Sequence, residues 1–343
     1  MTTQAAIYRG NKTFTVEAVT IPPPAAGQVQ IDVAYCGICG TDLHIYLGHM
    51  DQRVGFERTI GHEMSGVISS VGKGVANLKV GQHMVVRPLA HCGDCPACNA
   101  GHEHVCHKLE FIGIDSAGAF QQKWNVPAHT IHVLPADLNL SHAALIEPLA
   151  VACHDVSRGK VQPGEDVLVI GGGPIGMLVA MTAREAGANV VIAEINENRL
   201  AYARGLGFSA MSSKEVDVAE AMHDTTDGKG ADVVFEVSGS QAGVDLMTAA
   251  AATRGRIVMV AIHATKPTID MFQFFWRELD LLGARVYRPE DYTAAMELLA
   301  KGVVDCESFI TDIQGLEDIQ GAFEALTQNP NAMKSMIRMM GNV

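Results

Sequence analysis

A strand, a glycine-rich turn and a helix follow one another in the stretch GEDVLVIGGGPIGMLVAMTAREAGANVVIAEINENRL. The β-branched run 167–170 predicts a short buried strand, and a second strand over 190–193 ends at Glu194. The pattern G-x-G-x-x-G between strand and helix is formed by Gly171, Gly173 and Gly176. Such glycines let a pyrophosphate approach the backbone at the helix N-terminus. The stretch therefore predicts a dinucleotide-binding βαβ unit within an α/β doubly wound parallel sheet.

The acidic residue after the second strand indicates which dinucleotide binds. A carboxylate at Glu194 suits the free ribose hydroxyls of NAD and would repel the 2′-phosphate of NADP, so we predict NAD. The residues predicted to bind the cofactor are Gly171, Gly173, Pro174, Ile175, Gly176, Glu194 and Arg199.

Clustered cysteines predict a second feature, in the segment HCGDCPACNAGHEHVCH at 91–107. The spacing C-x2-C-x2-C-x7-C is formed by Cys92, Cys95, Cys98 and Cys106. Short gaps let one turning loop direct these thiolates at a single ion, which favours a closed, structural zinc site. An iron–sulfur cluster and reduced thiols without a metal are the alternatives.

Further metal ligands are scattered along the chain. The stretches CGICGTDLH and GHE supply Cys39, His62 and Glu63. Taken alone, Cys39 could be a buried small residue and His62 a hydrogen-bonded core histidine. Together with the cysteine lobe and the glycine motif, they indicate an open, catalytic metal site.

Length and charge narrow the classes of protein. A chain of 343 residues exceeds one typical domain, and a formal charge of −13 argues against nucleic-acid binding. The N-terminal stretch MTTQAAIYRGNKTF has no apolar signal region, and no run reaches the roughly 20 apolar residues of a membrane span. We therefore expect a cytoplasmic protein without a membrane partner, in which clustered thiols hold metal rather than form disulfides.

With these motifs in hand, the sequence resembles the zinc-dependent medium-chain alcohol dehydrogenases. The stretches VAYCGICGTDLH, GHEMSGVISSVGKGV, the cysteine lobe, ALIEPLAVACH and VLVIGGGPIG occur in family order, and GHE with LIEPLAV resembles the polyol branch. The resemblance implies a GroES-like, partly open β-barrel catalytic domain over 1–150 with its structural-zinc lobe at 91–107. It further implies an NAD-binding Rossmann domain over 151–287 and a return to the catalytic domain over 288–343.

The resemblance also implies the chemistry. Two zinc ions per chain are expected, and the catalytic ion is held by Cys39 and His62 with Glu63 or Glu147 completing the site. Zinc stabilises an alkoxide, so a secondary hydroxyl can lose hydride to NAD and become a ketone. Thr41 and His44 match the family's proton relay, and a homotetramer or homodimer is implied. The alternatives are an L-threonine or butanediol dehydrogenase, and a non-catalytic NAD- and zinc-binding relative.

The substrate is expected to carry a second polar group beside the reacting hydroxyl. A buried carboxylate left unpaired by a monoalcohol costs about 1–3 kcal/mol, so Glu63 and Glu147 favour a sugar alcohol first and a sugar acid second. The sugar-acid option rests on arginines that could pair a carboxylate, namely Arg53, Arg58, Arg285 and Arg288.

Two local predictions concern packing. The apolar cluster FQFFW at 272–276 is expected to lie in the core or in a subunit interface. In SHAALIEPLAVACHDVSR, Ser141 is a possible helix cap, and Pro148 is expected to start a fresh turn that leaves Glu147 at the break.

Overall fold

The computed structural model describes residues 2–329 and 331–340. The chain forms two compact units. The first contains the described residues of Met1–Glu147 and Arg288–Val343, and the second is Pro148–Tyr287. The second unit is therefore inserted into the first, and it begins three positions before the start predicted at 151.

The first unit is built mainly of antiparallel strands. Its strands are β1 Thr2–Gly10, β2 Thr13–Thr20, β3 Gln28–Gly37, β4 Glu63–Val71, β5 His83–Val86, β6 Leu89–Ala90, β7 Glu110–Phe111, β8 Lys123–Pro127, β9 Ile131–Val133, β16 Ile310–Gly315 and β17 Lys334–Arg338. The largest sheet has the order β16-β17-β3-β4-β5-β9, and β8 also pairs with β3. Only β16 and β17 pair in parallel in this sheet. Buried Val29, Ile31 and Val33 alternate with more exposed residues along β3, as a sheet with one face on the core requires.

Short helices connect these strands. The helices of the first unit are α1 Gly40–Tyr46, α2 Asp51–Val54, α3 Pro96–Asn99, α4 Leu140–Ala143, α11 Pro289–Ala300, α12 Cys306–Phe309 and α13 Ile319–Gln328. A further helix, α5 Ile146–Gly159, begins in the first unit and continues in the second.

The segment around α4 corrects two local predictions. The side chain of Asn139, not that of Ser141, caps α4, because its Oδ1 accepts a hydrogen bond from the Ser141 backbone N–H at 2.9 Å. The break lies between α4 and α5, and α5 already includes Glu147 and Pro148. Proline is tolerated there because the first turn of a helix needs no N–H from it.

The second unit contains a six-stranded parallel sheet. Its strands are β10 Asp166–Ile170, β11 Asn189–Glu194, β12 Ser209–Ser212, β13 Ala231–Glu236, β14 Ala251–Met259 and β15 Asp280–Gly283. Their order is β12-β11-β10-β13-β14-β15, which is that of the dinucleotide-binding doubly wound fold. Its helices are α6 Pro174–Glu185, α7 Glu197–Gly205, α8 Val218–Thr225, α9 Gln241–Ala250 and α10 Met271–Arg277. The central strand β10 is a buried apolar run, as helices on both faces of a sheet require.

Helix α10 exposes most of the FQFFW cluster. Phe274 packs against the core of the second unit, whereas Phe275 is 77% exposed and Trp276 is 70% exposed. Of the two predicted locations, the core is therefore excluded for Phe275 and Trp276, and a subunit interface stays a prediction. Apolar side chains occupy almost every position of this seven-residue helix, and one unit cannot bury all of them on the same side.

No helix within residues 2–329 and 331–340 is both long and apolar enough to cross a membrane.

Candidate active site and metal centres

The scattered ligands of the sequence meet in the first unit. Cys39, His62 and Glu63 each offer a ligand atom, and these atoms lie within 4.8 Å of one another. His62 and Glu63 are buried, and Cys39 is partly exposed. One thiol, one imidazole and one carboxylate this close together match the donor types that zinc prefers.

Helix α1 positions the thiol. Cys39 is the N-cap of α1, and its Sγ accepts a hydrogen bond from the backbone N–H of Thr41 at 3.4 Å. The Asp42 carboxylate accepts in turn from the backbone N–H of Cys39 at 3.0 Å, which completes a capping box. The thiol sulfur is therefore held at the helix N-terminus, where a negative charge is stabilised.

Asp42 also connects the thiol with the imidazole. Its Oδ1 lies 3.6 Å from Nδ1 of His62, an ion-pair distance, and both side chains are buried. Burial alone would lower the pKa of His62, but Asp42 and Cys39 raise it well above its ordinary value. A carboxylate behind the imidazole is the arrangement that orients a metal-binding histidine.

Lys334, which sequence reasoning missed, contacts Glu63, the third predicted ligand. The Lys334 Nζ donates to Glu63 Oε2 at 2.6 Å and to the carbonyl oxygen of Ile38 at 3.3 Å, and both charged side chains are buried. Burial alone would lower the pKa of Lys334, but Glu63, Cys39 and Glu147 raise it. The available signal was a lysine at the start of the strand KSMIR, but the sequence does not show which residue it faces.

Glu147 is buried at 5% exposure but lies outside the group of close ligand atoms found among the described residues. Its negative charge acts on Lys334, so it contributes to the electrostatics around Glu63. Of the two carboxylates proposed from the sequence, the geometry brings Glu63 into the ligand cluster.

The two relay residues lie on α1, three positions apart and therefore on one face of the helix. Thr41 is partly exposed next to Cys39, and His44 is exposed. The Nδ1 of His44 lies 3.1 Å from the Nδ1 of His49, so one of these nitrogens donates a proton to the other.

The cysteine lobe brings its four sulfurs into contact. The distances from Cys106 Sγ to Cys92 Sγ and to Cys95 Sγ are 3.4 Å and 3.7 Å, and Cys95 Sγ lies 3.5 Å from Cys98 Sγ. A tetrahedral zinc site with bonds of about 2.3 Å has sulfur–sulfur edges of about 3.8 Å. Backbone N–H groups of Cys98 and His107 lower the pKa of Cys95 to about 6, whereas a hydrogen bond with Asp94 raises the pKa of Cys92 to about 12. The sulfur–sulfur distances fit one ion of zinc size.

The second unit places Glu194 against the glycine-rich turn. Its Oε2 accepts from the Gly172 N–H at 2.7 Å, and its Oε1 accepts from the N–H groups of Ile195 and Asn196 at 2.6 Å and 2.9 Å. Arg199 lies near the same carboxylate, with Nη1 3.9 Å from Oε2. This buried carboxylate is held rigidly at the carboxyl end of β11.

The glycines are required by the geometry of the turn. Gly171 has a φ of +106°, a conformation that side chains disfavour, and a Cβ on Gly176 would overlap with the carbonyl oxygen of Gly171. Helix α6 starts at Pro174, immediately after its N-cap Gly173, and Ile175 follows in its first turn. The backbone N–H groups at this end of α6 can bind a pyrophosphate.

Two of the arginines predicted to bind a substrate carboxylate already donate hydrogen bonds to other groups of the protein. Arg53 donates to both carboxylate oxygens of Asp115, at 2.8 Å and 2.9 Å. Arg58 donates through Nη1 to the carbonyl oxygens of Ile114 and Asp115. The guanidinium group of Arg288 lies 3.5 Å from Glu290 and 3.3 Å from His102, and Arg285 is exposed in the second unit.

Comparison with known proteins identifies the family. The model of the alcohol dehydrogenase GroES-like domain matches residues 25–136, and that of the zinc-binding dehydrogenases matches residues 174–301. The 2-dehydro-3-deoxy-L-galactonate 5-dehydrogenase of Pseudoalteromonas atlantica is 51% identical over 333 residues, which cover 97% of this chain and 98% of the relative. The chain belongs to the zinc-dependent medium-chain dehydrogenases.

Further relatives of this medium-chain dehydrogenase act on related compounds. The L-galactonate-5-dehydrogenase of Escherichia coli is 33% identical, over 85% of each chain. The crystal structure of 2R,3R-butanediol dehydrogenase from Bacillus subtilis matches with a TM-score of 0.90 and 30% identity, over 98% of this chain and 99% of that one. The predictions of the family and of the fold class are confirmed.

The donor sets fit the cofactors of the family. A thiol, an imidazole and a carboxylate in a buried cluster suit zinc, and a glycine-rich turn before α6 suits a nicotinamide dinucleotide. This medium-chain dehydrogenase is therefore a zinc-dependent oxidoreductase that acts on CH–OH groups with a nicotinamide cofactor.

Proposed function

We propose that this dehydrogenase transfers hydride from a secondary hydroxyl of a sugar acid to NAD and gives a ketone. The observation that carries the proposal is the buried cluster of Cys39, His62 and Glu63 in a chain 51% identical to a sugar-acid dehydrogenase. A non-catalytic relative would not need to retain this set of ligands.

Cys39, His62 and Glu63 would hold the catalytic zinc. When bound, zinc supplies Lewis-acid stabilisation of the negative charge that develops on the substrate oxygen. Glu147, outside the close cluster, would act by its charge rather than as a direct ligand. The four cysteines of the lobe would hold a second, structural zinc. Their sulfur–sulfur contacts support a single ion over an iron–sulfur cluster or idle thiols.

The proton of the substrate hydroxyl needs a route to water. The Thr41 hydroxyl would accept it beside the metal cluster, and the His44 imidazole would release it at the surface through its contact with His49. Support for this route comes from the position of both residues on one face of α1 and from the exposure of His44.

Glu194 supports NAD over NADP. The carboxylate accepts three backbone hydrogen bonds and so stays at the end of β11, where it would accept from a ribose hydroxyl. A 2′-phosphate at that place would meet a fixed negative charge, and Arg199 is held near the same carboxylate.

The relatives change the order of the expected substrates. A sugar alcohol was the first expectation from the sequence, but the 51% identical relative and the Escherichia coli relative are both sugar-acid dehydrogenases. We therefore place a sugar acid first. Arg53 and Arg58 are not proposed to bind the substrate carboxylate, because Arg53 is bound to Asp115 and Arg58 to backbone carbonyls.

A substrate panel tests the proposal. The zinc-loaded enzyme would be assayed by NADH formation with 2-dehydro-3-deoxy-L-galactonate, L-galactonate, sorbitol, butanediol, L-threonine and ethanol. We expect kcat/KM for a sugar acid to exceed that for ethanol by roughly tenfold to a hundredfold or more, because a monoalcohol leaves buried polar groups unpaired. Equal turnover of ethanol would contradict the proposal, and C39S is the inactive control.

We also propose a homo-oligomer in a reducing, cytoplasmic compartment. Helix α10 exposes Met271, Phe272, Phe275 and Trp276, and β15 is the edge strand of its sheet. Exposed apolar side chains beside a strand edge support contact with a second copy. The thiols proposed as zinc ligands must also stay reduced, which supports the compartment.

A further inference from the structure

A buried arginine lies at one edge of the largest sheet of the first unit. Arg87 directly follows β5, and its backbone N–H donates to the carbonyl oxygen of Thr130 at 2.8 Å, just before β9 begins. Strand β9 is the last strand in the order of this sheet. Arg87 is nevertheless only 5% exposed, so its charged group has lost most of its contact with water.

The guanidinium group of Arg87 has no counter-ion within the part of the chain that the structure describes. Its Nε is buried without a hydrogen bond, and none of the described carboxylates forms an ion pair with it. By contrast, Arg58 and Arg277 each donate to two backbone carbonyl oxygens. A buried charge is strongly destabilising unless an opposite charge lies beside it. Arg87 therefore needs a negative charge that the described residues do not supply.

Three histidine side chains lie near Arg87. The rings of His91 and His129 are 5.8 Å apart, and the ring of His132 stacks on Tyr292 at a centroid distance of 4.7 Å. Burial and, after it, the positive charge of Arg87 lower the pKa of His132 to about 4. Burial, His91 and Arg87 lower the pKa of His129. No carboxylate among the described residues counteracts either shift, so no negative charge acts on this cluster.

The cluster offers hydrogen-bond donors. The Nδ1 of His91 is buried without a hydrogen-bond partner, as is the Nε of Arg87. A guanidinium group donates through a planar fork that matches two oxygens of a carboxylate or a phosphate, and an imidazole can add a further N–H. His91 and His129 are only partly buried, which leaves access from solvent for a small ion.

We propose that Arg87, His91 and His129 form a binding site for a small oxoanion, whose oxygens accept hydrogen bonds from the guanidinium group and the imidazoles. Phosphate and sulfate have this chemistry, and so does the carboxylate group of a small organic acid. The anion compensates the charge of Arg87 and links the end of β5 to His91, where the cysteine lobe begins. None of these residues belongs to the proposed catalytic or cofactor sites, so the anion site is independent of the proposed function.

Equilibrium dialysis of the zinc-loaded enzyme with radiolabelled inorganic phosphate tests the site. Saturating NADH is present, so that phosphate does not bind at the glycine-rich turn. We expect R87M to bind the tightest phosphate of wild type roughly tenfold or more weakly, because the charge and the fork are lost. H129Q keeps Arg87 and should weaken binding by a smaller factor. R254Q is the matched control: it removes the same charge from a side chain that is 79% exposed and should bind phosphate as wild type does.

Thermal stability distinguishes a bound anion from an arginine that is only hydrated. In phosphate-free buffer R87M should melt at or above the temperature of wild type, because an uncompensated buried charge has been removed. At constant ionic strength, added phosphate should raise the melting temperature of wild type more than that of R87M. A similar rise with sulfate indicates a site for free inorganic oxoanions, whereas a larger rise with acetate indicates a site for the carboxylate of an organic acid.

Equal phosphate binding and an equal thermal response in wild type and R87M would mean an adventitious ion only, and would overturn the inference. If R87M does not fold, H129Q decides the question, because His129 is only partly buried. Unchanged phosphate affinity in H129Q would then contradict the site, and weaker affinity beside an unchanged R254Q would support it.

Discussion

Gly176 shows how little space the glycine-rich turn leaves for a side chain. Because a Cβ would overlap with the carbonyl oxygen of Gly171, we expect G176A to distort the turn and weaken NADH binding by roughly tenfold or more. Binding would be measured by fluorescence titration. G205A is the matched control: no atom lies near a Cβ there, and helix α7 gains roughly 0.5–1 kcal/mol from the change. Unchanged NADH binding by G176A would contradict the assigned role of the turn.

Glu194 carries the preference for NAD at the residue scale. We expect E194A to weaken NAD binding and to relax the rejection of NADP, because the carboxylate accepts from ribose in one case and repels phosphate in the other. A hydrogen bond to a charged group contributes about 1.5–3 kcal/mol, so the ratio of kcat/KM for the two cofactors should change by roughly tenfold to a hundredfold. E194Q keeps an acceptor without the charge and separates the two effects. A wild-type enzyme that prefers NADP would refute the assignment.

At the scale of an element, the cysteine lobe is a short loop with one short helix, α3, and little core of its own. Its proposed zinc must therefore supply much of its local stability. We expect C98S to lose one zinc per chain and to lower the melting temperature, with the catalytic zinc retained. Elemental analysis would measure the zinc content and calorimetry the melting temperature. Iron in the wild-type lobe would contradict the zinc assignment.

The two proposed metal sites should differ in their response to a chelator. Three protein ligands at the proposed catalytic site would leave a fourth position open, whereas four sulfurs would close the site in the lobe. We expect chelation to abolish activity before it unfolds the protein, and added zinc to restore activity. Activity and circular dichroism would be followed in the same sample. Simultaneous loss of both signals would contradict the division into an open and a closed site.

At the scale of the whole molecule, the exposed face of α10 makes the proposed oligomer testable. We expect the double variant carrying F275E and W276E to have a lower mass than wild type, because charges would be buried in the subunit contact. Light scattering at several protein concentrations would measure the molar mass of each protein in solution. F56E is the control, since Phe56 is 58% exposed in the first unit. A monomeric wild type would refute the oligomer.

The predictions from sequence were most accurate where the evidence was local. The strands predicted over 167–170 and 190–193 lie within one residue of the observed β10 and β11. The cap at Ser141 and the break at Pro148 were wrong by a few residues, because Asn139 and Ser141 are both good caps and tertiary packing selects between them. For FQFFW the sequence left the core and a subunit interface as alternatives, because apolar composition does not show which surface covers a helix. The structure packs Phe274 against the core and exposes Phe275 and Trp276.

Local spacing alone determined the cysteine lobe and the glycine-rich turn. Their groups lie within a few residues of one another, so chain geometry brings them together whatever the rest of the fold does. Only the tertiary structure decided that Lys334 contacts Glu63. That contact depends on the register of β17 on β3 and of β3 on β4, and a shift by one residue would turn each side chain to the opposite face. Strand register is set by packing over the whole sheet, which no short stretch of sequence contains.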